Sequence, residues 1–113
     1  MDSGGLQVSE VSIALAIVAV IRRVPGVADV SPGRSATVAT YGPGEHVRGV
    51  VLGRTAGALD LEVHLCAWYA DSLALPELAD QVRNAVRHSI EGLGVGPLRR
   101  IDVAFDDLRV EEE

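Results

Sequence analysis

Apolar residues recur from Val11 to Val24 with a helical period, yet they are not confined to one side. At roughly 100° per residue, Ile13, Ile17, Val20, Ile21 and Val24 share one stripe, while Val11, Leu15 and Val18 line up nearly opposite. The pattern predicts a helix that starts near Ser9 as N-cap, carries Glu10 in its first turn and runs to about Arg23. Pro25-Gly26 stops it. A helix with two apolar sides is either enclosed within its own domain or uses the second ridge to touch another protein. A two-layer domain of this length has little else to cover that ridge. Val11, Leu15 and Val18 are therefore read as an interaction surface.

Beyond the helix the period changes. Val27 to Val30 reads as a short strand, and Ala36 to Tyr41 as a brief extended run between the breakers Pro32-Gly33 and Gly42-Pro43-Gly44. Val47 to Arg54 and Leu59 to Tyr69 read as two strands joined by the turn Thr55-Ala56-Gly57-Ala58, which makes them an antiparallel hairpin. In the second, Leu61, Val63, Leu65 and Ala67 face a core, while Glu62, His64, Cys66 and Trp68 share the other, open face. From Pro76 to Glu91 the helical period returns, with Leu78, Ala79, Val82, Ala85, Val86 and Ser89/Ile90 as its buried stripe, and Gly92 supplies a stop. The last strand spans Leu98 to Leu108, with Ile101, Val103 and Phe105 inward and Asp102, Ala104 and Asp106 outward.

Strand 59–69, helix 76–91 and strand 98–108 fit a right-handed parallel crossover. The expected fold is α+β, with the order α-β-(β)-β-β-α-β and two helices packed on one face of a mixed sheet of three to four strands. Residues 1–7 are expected to be a disordered leader, 8–108 a single domain and 109–113 an acidic tail. No internal repeat or second domain is evident.

Charge narrows the function. The net charge of −6 is uneven: residues 1–58 carry +1 and residues 59–113 carry −7. An acidic domain repels phosphate backbones, so nucleic acid is not an expected partner. The apolar stretch Ile13 to Ile21 is too short for a bilayer, which takes about 20 residues, so direct membrane insertion is not expected. The N-terminus lacks a basic region and cleavage pattern, and Cys66 is the only cysteine, so the expectation is a cytoplasmic protein without a disulfide framework.

Candidate chemistry is sparse. Glu62, His64 and Cys66 form a row of potential metal ligands on one strand face, spaced about 7 Å apart, too far for all three to reach one ion easily. His64 and Cys66 also lack an acid to orient them for nucleophilic chemistry. His46 and His88 read as surface residues. The Gly42-Pro43-Gly44 and Gly92-Leu93-Gly94-Val95-Gly96 clusters read as turns, since neither is followed by Lys-Ser/Thr and the chain has no lysine. No catalytic residue and no cofactor is assigned. Trp68, on the open face, is the aromatic contact candidate.

Val24-Pro25-Gly26-Val27, Trp68-Tyr69 leading into Leu75-Pro76-Glu77-Leu78-Ala79-Asp80-Gln81-Val82, and Arg100-Ile101-Asp102-Val103-Ala104-Phe105-Asp106-Asp107-Leu108 resemble the bacterial alkaline-shock family of envelope stress response proteins. Tyr41-Gly42-Pro43-Gly44-Glu45-His46-Val47-Arg48-Gly49-Val50-Val51 is similar to an actinobacterial branch of it. The resemblance implies a non-enzymatic cytosolic protein that self-associates, gathers near the membrane through an anchor protein and supports the cell envelope under stress. The leading expectation is thus a scaffold or adaptor whose partners are further copies of itself and a membrane-anchored protein. The alternative is a small-molecule or metal-binding sensor that uses the face of Glu62, His64, Cys66 and Trp68.

Overall fold

The computed structural model describes residues 9–31 and 39–110, so the expected leader, the Pro32-Gly33 breaker and the last three glutamates lie outside the described residues. Helix α1 spans Glu10–Ile21 and is capped as its sequence suggests: the Ser12 N–H donates to Ser9 Oγ at 3.1 Å. Arg22 closes it, and Gly26, at φ +102°, turns the chain into strand β1, Val27–Val30.

Two short strands follow, β2 (Ala39–Gly42) and β3 (Glu45–Arg48), then β4 (Val50–Thr55) and β5 (Ala58–Trp68). The single strand expected over 47–54 is in fact broken at Gly49. There φ is +90°, and a Cβ would lie 2.6 Å from Val30 Cβ. Only glycine tolerates both conditions, so the backbone swings out of one sheet and into another at this point. Before the break, β3 pairs with β2 in a separate antiparallel hairpin around Pro43-Gly44, with Tyr41 opposite His46. After it, β4 pairs antiparallel with β5 through the turn Ala56-Gly57, both residues at positive φ.

Helix α2 runs over Leu75–Leu93 with Pro76 in its first turn. It continues past Gly92, the expected stop, and ends at Gly94, whose φ of +67° and N–H to the carbonyls of Ile90 and Glu91 make the left-handed cap. Strand β6, Leu98–Arg109, then returns parallel to β5.

The main sheet is mixed and open, with β5 at its centre. One side of β5 pairs with β6; the other is shared end to end by β4, opposite Ala58 to Val63, and β1, opposite Leu65 to Ala67. Leu59, Leu61, Val63, Leu65 and Ala67 turn into a core built with Ile13, Ile17 and Ile21 of α1 and Leu78, Val82, Val86 and Ile90 of α2. This is the expected α+β arrangement of two helices on a mixed sheet. The β2–β3 hairpin is the addition. It packs against α1, with Gly42 so close to Val11 that a Cβ would sit 2.6 Å from Val11 Cγ2, and it buries Val47. Thr40 Oγ1 ties it to the main sheet by donating to Val50 O at 2.6 Å.

Candidate interaction surfaces

The hairpin changes the reading of α1. Val11 and Val18 are buried, 5% and 6% exposed, so they do not form the open ridge expected of them; the cover that seemed missing is supplied by β2 and β3. Leu15 alone of the three remains open, at 53%. It stands at the mouth of a groove whose walls are Val18, Arg22, Asp29, Val30, Val47 and Arg48, with Arg22 held to Asp29 at 3.0 Å.

On the open face of the sheet the expected row of Glu62, His64, Cys66 and Trp68 is not uniform. Cys66 is buried, and Glu62 and His64 are joined by a residue that sequence spacing did not link to them. His64 Nε2 lies 2.6 Å from Glu62 Oε2, and Nδ1 lies 3.0 Å from Asp106 Oδ2. Burial works against the charged imidazole, but the hydrogen bonds to Glu62 and Asp106, with the charges behind them, outweigh it and raise the His64 pKa above the ordinary value. Asp106 reaches this position because β6 runs parallel to β5 and bulges there: Leu65 faces Phe105 while Cys66 faces Asp107. Nothing in the local sequence announces that pairing, which spans 42 positions.

Chemically the cluster is a charge bridge. With both imidazole nitrogens committed to carboxylates, His64 offers no lone pair to a metal. Among the described residues no group of three or more His, Cys, Asp and Glu side chains is placed to hold one. Farther along the same face Arg99 Nε meets Asp60 Oδ1 at 2.6 Å and Arg100 Nε meets Asp102 Oδ2 at 2.8 Å. Hydrogen bonds from the Thr55 hydroxyl and Arg99 hold the Asp60 carboxyl below the usual carboxylate range.

The third surface lies at the end of the sheet. The register sets the core residue Ala67 beside Leu108 and Trp68 beside Arg109, so Leu108 lies on the helix-bearing side and Trp68 on the opposite face, with Tyr69 and Val110 next along the two strands at the same end of the sheet. Trp68, Tyr69, Leu108 and Val110 are each exposed, from 39% at Trp68 to 70% at Val110. Trp68 N–H donates to Gly26 O at 2.9 Å and Tyr69 N–H to Arg109 O at 2.7 Å, so the backbone beneath the patch is fixed. Of the exposed large apolar residues, the others (Leu15, Tyr41 and Leu93) are scattered on separate elements. Sequence reading had picked out Trp68, with Tyr69 as its neighbour; Leu108 and Val110 join only through the β5–β6 register. Comparison of the chain with protein-family models, with curated proteins and with solved structures returned no match.

Proposed function

We propose that this chain is a non-enzymatic, cytoplasmic scaffold that self-associates and docks on a membrane-anchored protein, as its resemblance to the alkaline-shock family implies. The observation that carries the reading is the apolar end of the sheet. Trp68, Tyr69, Leu108 and Val110 all lie at this one end on fixed backbone and are left open, Trp68 on one face and Leu108 on the other, whereas isolated surface apolars would need no explanation. Among the described residues no helix is long and apolar enough to cross a membrane, so contact with the membrane is assigned to a partner.

The sensor alternative has less to stand on, because His64 is already bridged and Cys66 is buried.

Two measurements test the proposal. Sedimentation velocity from low to high micromolar concentration should show concentration-dependent association; a strictly monomeric chain throughout would overturn self-association. In host cells the tagged chain should fractionate with membranes, and Leu108→Asp should move it to the soluble fraction. Membrane recovery unchanged by Leu108→Asp and Trp68→Ser would remove the sheet end as the docking surface.

A further inference from the structure

We infer that two copies of this chain pair edge to edge through β6, antiparallel about a two-fold axis at Val103, to form one continuous sheet. The inference rests on the proposed self-association and gives it a surface and a register.

Among the described residues the edge is long and carries no further strand. β6 pairs only with β5 among the described strands, over its whole length. Leu59 N–H donates to Pro97 O and Tyr69 N–H to Arg109 O, which fixes the direction of the backbone at both ends of β6. Between them β6 bulges twice, at Arg99 and at Asp106, and each bulge inverts the alternation. Ile101, Val103 and Phe105 therefore aim their N–H and C=O groups away from β5. Arg83 Nε donates to the Ile101 carbonyl from that side, at 3.3 Å, and must share or yield this acceptor when a second strand pairs there.

Pairing centred on Val103 sets Val103 opposite itself, Ile101 opposite Phe105, and Leu98 opposite Leu108. All of these residues present outward backbone groups, because the two bulges lie on either side of the centre and interrupt the ladder at matching places. The two-residue bulge segments then meet: Arg99-Arg100 of each copy faces Asp106-Asp107 of the other. β6 is basic where it begins and acidic where it ends, so antiparallel pairing joins opposite charges twice. Neighbouring registers fail on the same ground. Centring on Asp102 sets that carboxylate against its own copy, and centring on Ala104 sets Asp102 against Asp106. A two-fold axis normal to the sheet keeps the apolar residues of both copies on the helix-bearing face and closes the assembly as a dimer.

Asp106 is already held by His64, so the complementarity rests on Arg99 facing Asp107, which happens twice by symmetry; Asp107 has no ion pair among the described residues, and Arg99 leaves only the partly exposed pair with Asp60.

The test is a charge swap on the full chain. Arg99→Asp and Asp107→Arg should each raise the dimer dissociation constant roughly tenfold or more, since each creates two like-charged facings. An equimolar mixture of the two variants should restore association as a heterodimer, a rescue that a misfolded variant cannot give. Val103→Cys should oxidise to a covalent dimer, because facing residues of a hydrogen-bonded pair have Cα atoms about 5.5 Å apart, within disulfide reach. If the native chain associates but neither swap weakens it and Val103→Cys does not cross-link, the β6 interface is wrong while the scaffold reading stands. If the native chain stays monomeric at high micromolar concentration, both fail together.

Discussion

Replacing Gly49 with alanine should be among the most damaging single-methyl changes in this chain. Two separate penalties meet there. The backbone φ of +90° lies where an L side chain is disfavoured, worth about 1–2 kcal/mol. The added Cβ would stand 2.6 Å from Val30 Cβ and 3.3 Å from the Ser31 carbonyl, so β1 must move or the β3–β4 junction must open. Overpacking of this kind costs typically 1–3 kcal/mol. Together they give about 2–5 kcal/mol, a large part of the ~5–15 kcal/mol that holds a small domain folded. For a chain of this size each kcal/mol shifts Tm by about 4–8 °C, so a fall of some ten degrees or more is expected in a thermal melt. Gly53→Ala is the control. Gly53 lies in β4 with negative φ and nothing within 4 Å of its added methyl, and it should be neutral or gain about 0.5 kcal/mol. If urea titrations followed by circular dichroism put Gly49→Ala within about 1 kcal/mol of Gly53→Ala, the account of Gly49 as the sheet-switching point is refuted.

Three further expectations follow from local geometry. Ala56 occupies a left-handed position at φ +51° beside Gly57, so Ala56→Asn, giving the preferred Asn-Gly turn, should add about 1 kcal/mol, read as a raised urea midpoint. Ala74 is the N-cap of α2 in extended conformation with no side-chain capping bond, so Ala74→Ser or Ala74→Asp should stabilise by about 0.5–1.5 kcal/mol in the same assay. The His64 pKa is raised in the folded chain above its unfolded value near 6.5, so its contribution is fully present below that value and drains away as pH rises through the folded one. The urea midpoint of the native chain should fall over that window relative to His64→Gln, and parallel profiles for the two would contradict the bridge.

Elements with a strong period were legible in the chain before any coordinates. The second helix, the β4–β5 hairpin and the parallel return of β6 all stand where alternation and turn chemistry put them. What escaped was governed by single glycines and by distant pairing. Val47 to Arg54 alternates well enough to read as one strand, yet Gly49 needs a backbone that strands do not adopt, and only the nearness of Val30 explains why glycine is there. Because that break is hidden, Ala36 to Tyr41 reads as a lone extended run, and the hairpin that Ala39–Gly42 makes with Glu45–Arg48 does not show. The second ridge of α1 then appeared to lack a cover, although β2 and β3 provide it. Likewise His64 and Asp106 were each placed on the open face, but the bulge that brings them within 3.0 Å is a property of the β5–β6 register.

On the proposed reading, two surfaces with different jobs would let so small a domain organise others. Pairing through β6 uses up its long edge, and among the described residues the opposite side of the sheet offers no equivalent, because β1 and β4 are short and are separated by the Gly49 break. Edge pairing alone therefore stops at two copies. Since the strands run antiparallel about Val103, the apolar ends around Leu108 point away from each other, roughly 33 Å apart at the usual rise per strand residue. Such a dimer presents two docking patches and can bridge two anchored partners, which strengthens attachment by roughly 10²–10⁴ over one patch when both engage. The two surfaces are then separable. Arg99→Asp should yield a folded monomer that still reaches the membrane fraction but is washed off readily, whereas Tyr69→Asp, next to β5 and clear of the β6 edge, should remain a dimer and not be recovered there at all. If Arg99→Asp stayed monomeric yet resisted washing as well as the native chain, a single patch would suffice and bridging would have no part in retention.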